Sequence, residues 1–134
     1  MKILLDTHIL IWALNGSPKL PQKAAEIILD PKNQIYISVV SLWEIEMKRL
    51  TKPEQLPITA KLIADFSGQA GFKTLPLKED CIFQLENLSR PETEPPHKDP
   101  FDRMLICQAI TEDMIFLTHD SLIKGYSAYN IKFV

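Results

Sequence analysis

Cysteine is scarce, with two residues in 134, and neither belongs to a CxxC pair. Cys81 and Cys107 lie in apolar, helical-looking stretches, so they read as buried thiols of a reducing compartment and not as a disulfide framework. The three histidines, His8, His97 and His119, show no HExxH or paired spacing, which argues against a zinc site. Basic charge is not in excess either, since 15 lysines and arginines face 17 acids for a net charge of −2. That disfavours a protein gripping nucleic acid through a broad basic face, because phosphate contacts come from Lys and Arg. It leaves open a nucleic-acid enzyme whose positive charge is a bound metal. No run approaches the roughly 20 apolar residues of a membrane span. The apolar start is interrupted by Asp6, Thr7 and His8, with no small-residue cleavage site behind it. Repeats and low-complexity segments are missing as well. The expectation is one domain over residues 1–134, cytoplasmic and free of membrane, whose 46% hydrophobic and 24% charged residues suit a single core.

What is present is organised around Ile3-Leu4-Leu5-Asp6-Thr7. Three apolar residues in a row suit a strand buried on both faces, and the run halts at a carboxylate before a second apolar stretch, residues 8–14, that reads as a helix. Pro21 opens another helix and residues 34–38 form a second strand. Ser41-Leu42-Trp43-Glu44 has the form of a capping box, which predicts Glu44 in a first helical turn and Trp43, Met47 and Leu50 in one stripe. Residues 59–70 predict a helix with Leu62, Ile63 and Phe66 inward, and residues 78–88 one with Ile82, Phe83 and Leu85 inward. A proline-containing loop, Ser89 to Lys98, leads to Asp99-Pro100-Phe101-Asp102, where a carboxylate N-cap and a proline at the first helical position open a buried helix. Residues 114–118 and 131–133 supply further strands. This alternation predicts an α/β, three-layer fold: a central, mostly parallel sheet of about five strands with helices on both faces.

Four acids, Asp6, Glu44, Asp102 and Asp120, fall at strand-to-helix junctions, which right-handed crossovers bring to one edge of the sheet. Taken singly, each has a bland explanation as a cap or a first-turn acid. Together they repel one another, and their pKa values must rise unless a cation is present. Mg²⁺ or Mn²⁺ takes hard oxygen ligands, activates water and stabilises the leaving oxygen of a phosphodiester, so the reaction class is metal-assisted phosphoryl hydrolysis. Thr7 and Thr118 offer hydroxyls either to orient water near the substrate or to bond backbone. Arg103 reads either as a phosphate contact or as half of a surface ion pair. Lys48, Arg49 and Lys52 read as a solvated helix face whose nearness to Glu44 suits RNA steering.

The segments Leu4-Leu5-Asp6-Thr7-His8 with Trp12, Ser38 through Ile45, His97 through Leu105, and Leu117-Thr118-His119-Asp120 resemble the successive motifs of PIN-domain proteins, most of all the VapC-like toxins of bacterial type II toxin–antitoxin systems. The resemblance spans the chain. It implies a Mg²⁺- or Mn²⁺-dependent endoribonuclease that hydrolyses RNA, frequent homodimers, and inhibition by a small antitoxin protein. By motif position Asp6, Glu44 and Asp102 match the family's acidic triad and Asp120 its fourth acid, while Asp99 matches no metal role and reads as a helix cap. The loop from Ser89 to Lys98 is longer than the usual approach to this motif. A dehalogenase-type phosphatase would need an acid where His8 stands, and a phosphoacceptor receiver would need a lysine near Thr118. A non-catalytic module binding RNA or a basic peptide is the reading from a different class.

Overall fold

Ile3, Leu4 and Leu5 are at most 1% exposed and divide between two cores, as a strand covered on both faces requires. In the computed structural model, which describes residues 1–134, this strand is β1 (Lys2–Leu5). It is followed by α1 (Thr7–Asn15), α2 (Gln22–Leu29), β2 (Gln34–Ser38), α3 (Val39–Thr51), α4 (Ala60–Gln69), β3 (Lys73–Leu75), α5 (Glu79–Phe83), α6 (Pro100–Thr111), β4 (Ile115–Thr118) and β5 (Ile131–Phe133). Short 3₁₀ turns occupy Gln84–Asn87 and Ile123–Gly125.

The five strands form one sheet in the order β3-β2-β1-β4-β5, and every pairing is parallel. The chain winds outward from β1 through β2 to β3, then returns across β1 to lay down β4 and β5. The winding therefore reverses between β1 and β4, and the crevice outside their carboxyl ends is where such sheets bind ligands. On one face Ile3 and Leu5 pack with Ile9, Leu10, Ala24, Ile45 and Ile63 of α1 to α4. On the other, Leu4 and Phe116 pack with Leu105, Ile106 and Ala109 of α6. These are the three layers expected.

Several local expectations are corrected. Helix α3 begins at Val39, capped by the Ser38 hydroxyl, which accepts from Val40 N at 2.9 Å. Ser41 is thus no cap, and Glu44 stands in the second helical turn, not at the strand-to-helix junction. Asp102 likewise follows the loop from Leu88 to Asp99 and not a strand. Of the three apolar residues expected inward in α4 only Ile63 is buried, with Ser67 beside it, whereas Leu62 and Phe66 are exposed. Residues 78–88 form a five-residue helix and a 3₁₀ turn, with Cys81 buried and Ile82 and Phe83 exposed. Both of those segments carry more apolar surface than the core beneath them takes up.

Candidate active site

The carboxyl end of β1 delivers Asp6 as the N-cap of α1, 3% exposed, with Oδ1 accepting from Thr7 N at 2.7 Å. Its Oδ2 accepts from the Thr118 hydroxyl at the end of β4, also at 2.7 Å, so both oxygens are held across the switch point. Burial pushes the Asp6 pKa above its ordinary value, against the Thr118 bond and the nearby His8. Asp120 follows β4; its backbone N bonds Thr118 Oγ1 at 3.0 Å and its Oδ1 accepts from Leu122 N at 2.9 Å.

Glu44, 2% exposed, reaches the same crevice from α3. Its Oε1 accepts from Thr7 Oγ1 at 2.7 Å, and that hydroxyl also lies 2.9 Å from Ser41 Oγ. Its Oε2 pairs with Lys48 Nζ, one helical turn on, at 2.8 Å. Thr7 and Thr118 each turn their hydroxyl to a carboxylate, an arrangement that locks rotamers.

Asp102 comes in on α6. Asp99 caps that helix, its Oδ1 accepting from Phe101 N at 2.9 Å and Asp102 N at 3.1 Å. Pro100, with no N–H to satisfy and its backbone preset for a helix, occupies the first helical position. The Asp102 carboxyl is raised to about 8, first by burial and then by the charges of Asp6, Asp99, Glu44 and Asp120. Those interactions bring all four acids named from the sequence into one electrostatic cluster. Within it, Asp102, Asp120 and His97 are tightest, offering ligand atoms within 4.8 Å of one another.

His97 is the residue that motif reading missed. Its Nδ1 lies 2.6 Å from the Tyr126 hydroxyl, which donates to the His97 carbonyl at 3.1 Å, and its Nε2 lies 3.1 Å from Asp102 Oδ2. With the phenol proton on the carbonyl, Nδ1–H donates to the phenol oxygen and Nε2 is left as an acceptor. Burial lowers the His97 pKa, keeping the ring neutral, and a protonated Asp102 satisfies Nε2. The network is self-consistent with one proton shared at Asp102 and His97. Arg103 makes no ion pair; it lines a cavity of about 370 Å³ with Lys98, Trp43 and Phe101, next to Asp102.

The donor set fits a divalent cation. It is mostly carboxylate oxygen with one imidazole; burial lifts the Asp6 and Asp102 carboxyls, and at Asp102 the charges of the neighbouring acids lift it further.

A family model described as "PIN domain" matches residues 3–128. No curated protein matches the chain. Among solved structures, a chain from VapBC2 of Rickettsia felis, bound to a DNA fragment from their promoter, is similar over 100% of this chain and 99% of that one, with a TM-score of 0.72 at 20% identity. A chain from VapBC-1 of nontypeable Haemophilus influenzae is similar over 99% and 98%, with a TM-score of 0.63 at 16% identity. A domain of a functionally unknown protein from Methanocaldococcus jannaschii gives 0.52 at 13% identity over 99% and 90%. At these identities the likeness is one of fold.

Proposed function

The chain belongs to the PIN-domain family, and from that premise we propose that it is a metal-dependent endoribonuclease, the toxin of a bacterial type II toxin–antitoxin pair, acting in the cytoplasm as one domain. The observation that carries the reading is the convergence of Asp6, Glu44, Asp102 and Asp120 at the switch point, where burial and then the charges of its neighbours raise the Asp102 carboxyl to about 8. Mg²⁺ or Mn²⁺, when bound there, supplies that charge, lowers the pKa of water and stabilises the phosphodiester oxygens. Asp6, Glu44, Asp102 and Asp120 would hold the ion, Glu44 from the side where it pairs with Lys48. Thr7 and Thr118 keep Glu44 and Asp6 aimed; His97, itself held by Tyr126, does the same for Asp102. Arg103, free of any acid, takes a phosphate oxygen of the RNA.

Purified protein is expected to cut RNA in Mg²⁺ or Mn²⁺, leaving 5′-phosphates, and to stop in EDTA. Cleavage that persists in EDTA overturns the metal mechanism.

The antitoxin lays an apolar helix into the cavity of about 390 Å³ between α1 and α4, where Ile11, Leu14, Leu56 and Phe66 form the walls. Exposed Met47 and Leu50 on α3 are left for a second copy of the chain, giving a homodimer. Phe66→Glu is expected to weaken antitoxin binding more than about tenfold, as loss of a central apolar anchor does. Unchanged co-purification of the partner with that variant would move the antitoxin elsewhere.

A further inference from the structure

We infer that the acidic cleft is one end of a track for a single RNA strand, in which a nucleobase stacks on His8 and Trp12 and the backbone continues to Lys48 and Lys52. The inference rests on the nuclease reading and adds to it the course of the substrate. Two cavities carry it. One, of about 250 Å³, is lined by Asp6, His8, Trp12, His119 and Asp120 and by nothing else. The other, of about 260 Å³, contains Lys48, Lys52 and Gln55 and is walled by the same His8 and Trp12. A pair of aromatic rings therefore separates an acid pocket from a basic one.

The rings of His8, Trp12 and His119 pack on one another in a row and leave two of their members open to solvent. His8 and Trp12, one turn apart on α1, have centroids 5.8 Å apart and planes tilted by 44°. Trp12 and His119 are 5.9 Å apart at 68°. His119 is in turn fixed by stacking on Phe133 at 5.6 Å, and its Nδ1 is bonded to the Val134 carbonyl. His8 and His119 are exposed. Lys48, paired with Glu44, lines the second cavity together with the exposed Lys52. A base needs a π-face and the next phosphate needs a cation, and this is their order along the track. A paired base keeps its faces inside a duplex and cannot reach the rings, so the strand must be single or locally opened. An acidic protein segment would match the lysines but would leave the rings and the acid pocket unused.

Binding of a short single-stranded RNA, followed by fluorescence anisotropy in Mn²⁺ on the Asp102→Asn background so that the strand stays whole, tests the assignment. Lys52→Ala is expected to weaken binding and to lower the slope of log affinity against log salt by about 0.7, the share of one phosphate contact on a single strand. His8→Ala is expected to cost about fivefold, from ~1 kcal/mol of stacking at 1.4 kcal/mol per tenfold. An oligonucleotide with abasic positions should show that loss with the His8 protein and lose nothing further with His8→Ala; Trp12→Phe, which keeps a ring against the core, should retain most of the affinity. An unchanged salt slope in Lys52→Ala, or an equal His8→Ala loss on normal and abasic strands, overturns the track. Metal-dependent cleavage by the wild type in the same preparation leaves the nuclease reading standing in that case. Wild-type protein that neither binds nor cuts RNA overturns both.

Discussion

Asp102→Asn is expected to reduce metal-dependent cleavage by on the order of 10²–10³-fold or more, the cost of removing a group that manages charge in a transition state, while leaving the metal-free protein as stable as the wild type or more so. The second half of that result separates a site from a cap. If Asp102 only opposed the dipole of α6, its loss would weaken the helix by a fraction of a kcal/mol and metal would make no difference. Its carboxyl is instead pushed up to about 8 by burial and by four neighbouring acids, so an amide, which needs no proton to enter that site, spares the folded state a cost. Mn²⁺ at a hundredfold excess over its dissociation constant should stabilise the wild type by about 2.7 kcal/mol through binding to the folded state alone, and Asp102→Asn should lose most of that. Glu44→Gln and Asp6→Asn should follow it, because the acids act as one cluster. Asp99→Asn should keep the metal response, since asparagine accepts the Phe101 and Asp102 N–H bonds nearly as well. Thermal melts of the four variants with and without Mn²⁺ decide the matter: an unchanged response in Asp102→Asn removes that residue from the site, and a lost response in Asp99→Asn adds that one.

How far the sequence could be read depended on whether a signal was local. The sheet was legible because β1 and β4 are short apolar runs that end abruptly at Asp6 and at Thr118-His119-Asp120, and the opening of α6 because Asp99-Pro100 is a cap with its own stereochemistry. The start of α3 was not. Ser38 and Ser41 both precede apolar residues, and Ser41 with Glu44 three positions on has the form of a capping box, which drew the helix start three residues too late. The structure spends Ser38 on the cap and turns Ser41 toward Thr7, a contact between residues 34 positions apart that no pattern announces. Leu62, Phe66, Ile82 and Phe83 follow helical periodicity yet lie exposed, because periodicity marks an apolar face without saying what covers it. His97 was in plain view at the head of the motif that contains Asp102. Its part in the site depends on Tyr126, 29 residues away.

The metal-free protein is expected to lose stability as pH rises from 6.5 to 8, and to hold it nearly level over the same range when Mn²⁺ is saturating. Asp102 is raised from 3.8 to about 8, so between those values the folded state holds a proton that the unfolded chain has released. Stability from this group is complete below the unfolded value and is lost as pH climbs through the folded one. Asp6, also raised, contributes with the same sign below its own folded value. His97 works the other way, because its lowered pKa makes the unfolded chain the better proton binder, but only the last part of that contribution falls above its ordinary value of 6.5. Above 6.5 Asp102 therefore dominates, and at 1.36 kcal/mol per pH unit for one proton the fall amounts to about 1–2 kcal/mol. A bound cation replaces that proton, so its affinity grows with pH and cancels the fall. Urea titrations at pH 6.5, 7.2 and 8, in EDTA and in Mn²⁺, give both slopes. Metal-free stability that is flat or rising over this window would mean that Asp102 is ionised near neutral pH. A fall that survives undiminished in Asp102→Asn would assign the proton to Asp6 or another buried acid.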